Sequence, residues 1–240
     1  QDYPNIELLI ADDCSTDDTV SVCEQLTSAR DDVVLQRNAK NLGEWGNSTN
    51  LLRQARGSYF FLASQDDWWD SRFVSMLADT LERNPAAIAA LPAVRFTHSG
   101  SNQPSVIGRF VGKARPDNQS RLAILKTLFS KRSPDGDICR TTMYIHGLVR
   151  TRAFRAAVTA HPDMILHERQ VLCHWAIQGE FAYVDEVLCE KTWSSLTVAQ
   201  RHGNETEWVA ARTRLLFPVR YAIAIFVRSE EHTSELQSRL

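Results

Sequence analysis

Two apolar runs that each end in carboxylates constrain this chain more than any other feature: IELLIADDCSTDDT over residues 6–19 and YFFLASQDDWWD over residues 59–70. Neither run alternates apolar with polar residues, so each reads as a strand covered on both faces, the pattern of a parallel sheet. Ligands of such sheets bind just beyond the carboxyl ends of the strands. Two acidic tips on two such strands therefore point to one shared site. Like charges packed together need compensation, and Asp12, Asp13, Asp66 and Asp67 call for a partner that is cationic or rich in hydrogen-bond donors. A divalent cation carrying a nucleoside diphosphate meets that requirement.

The segments around these tips alternate strand and helix. Residues 15–19 supply N-cap chemistry, and Val20, Cys23, Leu26 and Thr27 recur at helical spacing to about Ala29. Residues 32–36 read as a second short strand and residues 38–47 as a polar, glycine-bearing loop. A helix follows through Leu51, Leu52 and Ala55, closed by Gly57. Residues 71–84 read as an amphipathic helix stopped before Pro85, and residues 88–91 as a strand. The pattern weakens over residues 96–137, as in variable loops that meet an acceptor. It returns as a strand at 141–149, helices at 152–159 and 167–178, and a strand at 181–188. Alternation of this kind implies right-handed crossovers and an α/β, doubly wound, mostly parallel sheet flanked by helices.

The chain's 240 residues, 43% hydrophobic and 23% charged, are enough to bury a core. A net charge of -2 provides no basic field for phosphate backbones, which excludes nucleic acid as the main partner. The five cysteines have neither paired CxxC spacing nor scaffold density; they read as small buried residues of a reducing compartment, not as disulfides or a zinc site. We expect one domain over residues 1–200. The chain opens directly on a strand at Gln1, which implies that an earlier strand of the domain is missing. Residues 201–227 are expected to form a C-terminal helical segment. Its apolar part, residues 215–227, is shorter than the roughly 20 residues a membrane span needs, so it reads as a core or interfacial helix. Residues 228–238, RSEEHTSELQS, resemble a translated sequencing adapter, and residues 228–240 are set aside.

Taken together, the motifs resemble those of the family 2 glycosyltransferases, the inverting kind built on a nucleotide-diphospho-sugar transferase domain of GT-A type. Tyr3-Pro4-Asn5-Ile6-Glu7 leading into residues 12–19 is similar to the family's first acidic motif, with Cys14 where glycine is commoner. Asn41-Leu42-Gly43, then Ala55 and Gly57-Ser58-Tyr59, lie at the family's spacing. Ser64-Gln65-Asp66-Asp67-Trp68-Trp69 resembles the Asp-Gln-Asp-Asp metal motif of rhamnosyltransferase-like members, with Ser64 in place of the first aspartate. His167-Glu168, Gly179 and residues 183–188 match the region of the catalytic base, with Glu168 in place of the usual aspartate. The resemblance covers about residues 1–196.

It implies a role for each matching residue. Asp13, with Asp12 beside it and Asn41 nearby, would bind the nucleotide through the imide N–H of a uracil or thymine. Asp66 would hold Mg²⁺ or Mn²⁺ at the diphosphate, with Asp67 as an outer or alternate ligand. Glu168, next to His167, would take the acceptor proton in a one-step displacement. Trp68 and Trp69 would stack on sugar or acceptor. The implied reaction moves a hexose or deoxyhexose from a UDP- or dTDP-sugar to a glycan or lipid-linked acceptor with inversion. The implied place is the cytoplasm, at the inner face of the membrane with peripheral attachment. Simpler readings stand beside these: Asp12 and Asp13 as helix caps and loop anchors, Asp17 and Asp18 as helix N-terminal charges, the Trp pair as core opening a helix, and His146, His161, His174 and His202 as structural. Two rival functions also remain, a nucleotide-sugar-binding pseudoenzyme, suggested by Ser64, and a receiver-like signalling domain, which the run from Ser64 to Asp70 fits poorly.

Overall fold

A computed structural model describes residues 1–64, 67–99, 106–108, 145, 147–160, 167–194 and 221–227. The first acidic run forms β1 (Ile6–Asp12), followed by α1 (Thr19–Thr27), β2 (Val33–Arg37) and α2 (Gly43–Gln54). The second forms β3 (Tyr59–Ala63), then a two-residue strand, β4 (Trp68–Trp69), and α3 (Phe73–Arg83). Next come β5 (Ala87–Ser99), β6 (Val106–Gly108), β7 (Leu148–Arg150), α4 (Thr151–Ala160) and α5 (His167–Gln178). The described chain closes with β8 (Glu180–Ser194) and β9 (Tyr221–Val227).

These strands make one sheet in the order β2-β1-β9-β3-β7-β5-β8-β4, with β6 paired to β5. Strands β1, β2, β3, β5 and β8 share one direction; β4, β6, β7 and β9 run against it. The frame is the expected α/β sheet, more mixed than the apolar runs suggest.

Both faces of the sheet are covered, as the absence of alternation in β3 requires. Phe60 faces one layer, where α2, α4 and α5 bring Leu51, Phe154 and Trp175. There Phe154 lies edge-on to both Phe60 and Trp175, with centroids 5.1 Å apart in each pair. Tyr59 and Phe61 point the other way, onto α3 and its Phe73, Leu77 and Leu81. Burying one such phenylalanine is worth about 1.5–3 kcal/mol, so β3, with Phe60 and Phe61 both fully buried, is firmly anchored beneath its tip. Helix α1 contributes no buried residue, and its Val22 and Leu26 lie exposed.

Three sequence expectations change here. The polar stretch expected as a loop to residue 47 is helical from Gly43. The Trp pair opens no helix; it pairs with β8 as Trp68↔Glu190 and Trp69↔Cys189. Of the segment expected to be helical, residues 221–227 are a strand hydrogen-bonded to β1 on one side and β3 on the other, while residues 201–220 lie outside the described residues. An apolar run of seven residues rich in Ile, Val, Tyr and Phe fits a central strand as well as a buried helix by pattern alone, and two open parallel edges decide it. Among the described residues no helix is long and apolar enough to cross a membrane.

Candidate active site

The register of β9 aligns the two acidic tips. Ile223 pairs with Ile10 on one side and Ala63 on the other, and Asp12 pairs with Tyr221. The carboxyl ends of β1 and β3 therefore lie at the same edge with one strand between them, a lateral gap of roughly 9–10 Å at the usual strand spacing.

At the first tip the two aspartates do different work. Asp13, 1% exposed, spends its carboxylate on the 38–43 segment. Its Oδ1 accepts from Asn38 Nδ2 (2.9 Å) and Leu42 N (2.8 Å), and its Oδ2 from Gly43 N (2.8 Å). Asp13 thus caps the N-terminus of α2 from a different element, where the N-cap residue Leu42 offers no side-chain acceptor. Gly43, at φ +73°, makes the turn that aims these amides, and Asn41 Oδ1 also accepts from Gly43 N (2.9 Å). Behind them Asn47, fully buried, donates to Ala11 O (2.9 Å) and accepts from Asn38 (2.8 Å). The β1 tip and the start of α2 are locked into one polar network.

Asp12 is equally buried but only half used. Its Oδ2 accepts from Ser15 N (3.0 Å) and faces Arg37 Nε at 3.3 Å, while Arg37 Nη2 donates to Ser15 O (2.6 Å). Asp12 Oδ1 and Ser15 Oγ are buried and have no partner among the described residues. A buried acceptor left unpaired costs about 1–3 kcal/mol, more when charged, so such atoms in native proteins demand an explanation. Cys14, at φ +66°, makes the turn between them, where a glycine would be unstrained. Burial, and then the charge of Asp12, push the Cys23 thiol up from its ordinary value.

At the second tip Asp67 pairs with Lys191 of β8, and both side chains are almost completely buried. Trp69 is half-buried and packs against the core at Phe61 and Phe73, with the Lys191 ammonium 5.4 Å from its ring centroid. Trp68 is 55% exposed and presents its ring to solvent. Burial pushes the neighbouring Cys189 thiol up to about 12, the direction expected of a buried structural cysteine. Asp66 lies outside the described residues. Among the described residues no three His, Cys, Asp or Glu side chains converge to hold a metal ion. Ser64 lacks a carboxylate and the Asp67 carboxylate is engaged by an ammonium, so neither of these two is an open ligand for a divalent cation.

His167 and Glu168 begin α5, which is placed by its backbone; their side chains lie outside the description. Asp17 accepts from Thr19 N (3.3 Å) at the start of α1, in keeping with the simpler reading, and His174 pairs with Gln178 (2.7 Å) on an exposed surface. His146, His161 and His202 lie outside the described residues. The sequence reading missed Arg37, Asn38, Asn47 and Lys191.

The fold and the paired tips define a class, the nucleotide-sugar-type α/β transferases of GT-A architecture. More narrowly, the chain belongs to glycosyl transferase family 2, whose sequence model matches residues 1–145. It is similar to the UDP-Glc:alpha-D-GlcNAc-diphosphoundecaprenol beta-1,3-glucosyltransferase WfaP of Escherichia coli, 33% identical over 75 residues that make up 31% of this chain and 29% of that protein. Two solved structures of S. aureus TarS share the fold. Residues 1–349 of TarS align with a TM-score of 0.55 and 14% identity, over 80% of this chain and 53% of that one. The other TarS chain aligns with a TM-score of 0.55 and 15% identity, over 80% of this chain and 32% of that one. The chain thus spans less than two thirds of each of these proteins.

Proposed function

We propose that this chain is the donor-binding part of a glycosyltransferase that moves a hexose or deoxyhexose from a UDP- or dTDP-sugar to a glycan or lipid-linked acceptor, with inversion. The observation that carries this reading is Asp12 Oδ1, a buried acceptor without a partner among the described residues, at the carboxyl tip of β1. A pyrimidine imide N–H satisfies it, and Ser15 Oγ lies in the same turn for a second contact. Arg37 holds the carboxylate in place. Asp13 and Asn41 act one step behind, fixing the Leu42 and Gly43 amides and with them the rim of the nucleotide site. Assigning base recognition to Asp12, with Asp13 in support, reverses the emphasis of the sequence reading.

In the transfer itself the acceptor hydroxyl attacks the anomeric carbon, its proton passes to Glu168, and the bond to the diphosphate breaks with the electron pair leaving on phosphate oxygen. His167 stands beside the base, and exposed Trp68 provides a flat apolar platform for a sugar ring, whereas Trp69 serves the core. A divalent cation, Mg²⁺ or Mn²⁺, would screen the departing diphosphate, with Asp66 the residue proposed to hold it. The acceptor named for the Escherichia coli relative, a diphosphoundecaprenol-linked GlcNAc, makes a lipid-diphosphate glycan the first acceptor to try and the inner membrane face the place to look.

Calorimetry with UDP and dTDP tests the site. Asp12→Asn, which replaces the orphan acceptor by an amide, is expected to weaken nucleotide binding at least tenfold while circular dichroism stays unchanged; unaltered affinity would remove Asp12 from the site. A second reading, a pseudoenzyme that binds nucleotide sugars without transfer, draws on Ser64 and on the engagement of Asp67 by Lys191. Incubating the chain with labelled UDP-glucose and a GlcNAc-diphospholipid separates the two: bound nucleotide with no labelled lipid favours the pseudoenzyme.

A further inference from the structure

We propose that Lys191 is the resident cation of the second acidic tip: its ammonium holds the place at Asp67 that a divalent ion takes in a site of open carboxylates, and it keeps Asp67 out of metal coordination. The pairing follows from the sheet. Strands β4 and β8 run antiparallel with Trp69 opposite Cys189 and Trp68 opposite Glu190, so the next step of the same register sets residue 67 against residue 191. The two side chains meet as a direct cross-strand ion pair, 3% and 5% exposed. Trp69 closes the pair from the core side: its ring lies 5.4 Å from the Lys191 ammonium, favourable for a cation over an indole face. A dry ion pair of this kind is held together because either partner left alone would be a buried, uncompensated charge. A divalent ion bound by Asp67 would sit within a few ångströms of that ammonium, and at such range in a poorly hydrated site the repulsion defeats coordination.

Lys191 is accordingly a positioning residue, which fixes the chain where β3 gives way to β4, and an electrostatic one, which compensates one of the tip's negative charges without a metal. The inference is independent of the donor assignment, because it is read with Mn²⁺ alone.

The experiment is a Mn²⁺ titration of the 240-residue chain, with free Mn²⁺ followed by electron paramagnetic resonance and no nucleotide present. Lys191→Gln is expected to bind Mn²⁺ at least tenfold more tightly than the parent, because the ammonium that repels a cation at Asp67 is gone, while Lys191→Arg, which keeps the charge, leaves affinity within twofold. A Lys191→Gln variant that binds Mn²⁺ no more tightly than the parent overturns the proposal. Should Lys191→Gln fail to fold, the double variant Asp67→Leu with Lys191→Met decides, since apolar replacement of a whole buried pair is commonly tolerated. Its Mn²⁺ affinity is expected to match the parent within twofold; a tenfold loss would mark Asp67 as a metal ligand and overturn the proposal.

Discussion

Cys14 bears the backbone strain at the first acidic tip, at φ +66° without the freedom of a glycine. Such a conformation costs a non-glycine residue roughly 1–2 kcal/mol, partly offset by the greater flexibility of glycine in the unfolded chain. Cys14→Gly is therefore expected to stabilise the fold by up to about 1 kcal/mol, a rise of about 2–4 °C in Tm for a chain of this size, readable by calorimetry; a lower Tm would contradict the strain argument. The turn was legible in the sequence because the motif itself is local. The division of labour between Asp12 and Asp13 was not, since it depends on where each carboxylate points, and two adjacent aspartates look alike until the donors around them are known. Lys191 was invisible for a related reason. Lys191 lies past residue 188, where the sequence reading ends the strand, and only the longer β8 and its pairing with β4 bring it to Asp67.

At the scale of elements, the sequence was most reliable where local pattern is sufficient. Helix α5 spans His167–Gln178 as its spacing predicts, and β3 matches its apolar run. It was least reliable where an element is completed from a distance. Helix α2 starts earlier than its own residues suggest because Asp13, remote in the chain, caps it. Gly179, between α5 and β8, belongs to the legible part and has a specific packing reason: a Cβ there would lie 2.5 Å from Ile88 Cγ2 and 3.2 Å from Ala86 O. Gly179 N and Glu180 N are also tied down, to Trp175 O and Ala86 O. Gly179→Ala is expected to cost about 1–3 kcal/mol, the usual range for overpacking a core, seen as a lower urea midpoint with an unchanged m-value. A midpoint equal to the parent's would show that β5 yields more easily than its packing suggests.

At the scale of the whole molecule, β9 is what makes one sheet out of two pieces. Among the described strands, β2 and β1 join the rest of the sheet only through it, because the order runs β2-β1-β9-β3. A chain ended after residue 220 is expected to keep exchange-protected amides in β3, β5 and β8 while those of β1 exchange freely, as hydrogen exchange with mass spectrometry would read. Protection of β1 equal to the parent's would show that it finds another partner. The strand alternation announced the layers of this sheet, yet not its order, since order is decided by pairings that span most of the chain. There is a consequence for how the protein is made. On the ribosome β1 and β2 emerge early and β9 late, and at about 5–20 residues per second the wait is roughly 10–40 s. Through that interval the facing edges of β1 and β3 stand open, two rows of unpaired amides and carbonyls next to the two acidic tips. The nascent chain is then most exposed to mispairing with its neighbours, and holding chaperones have the most to offer it.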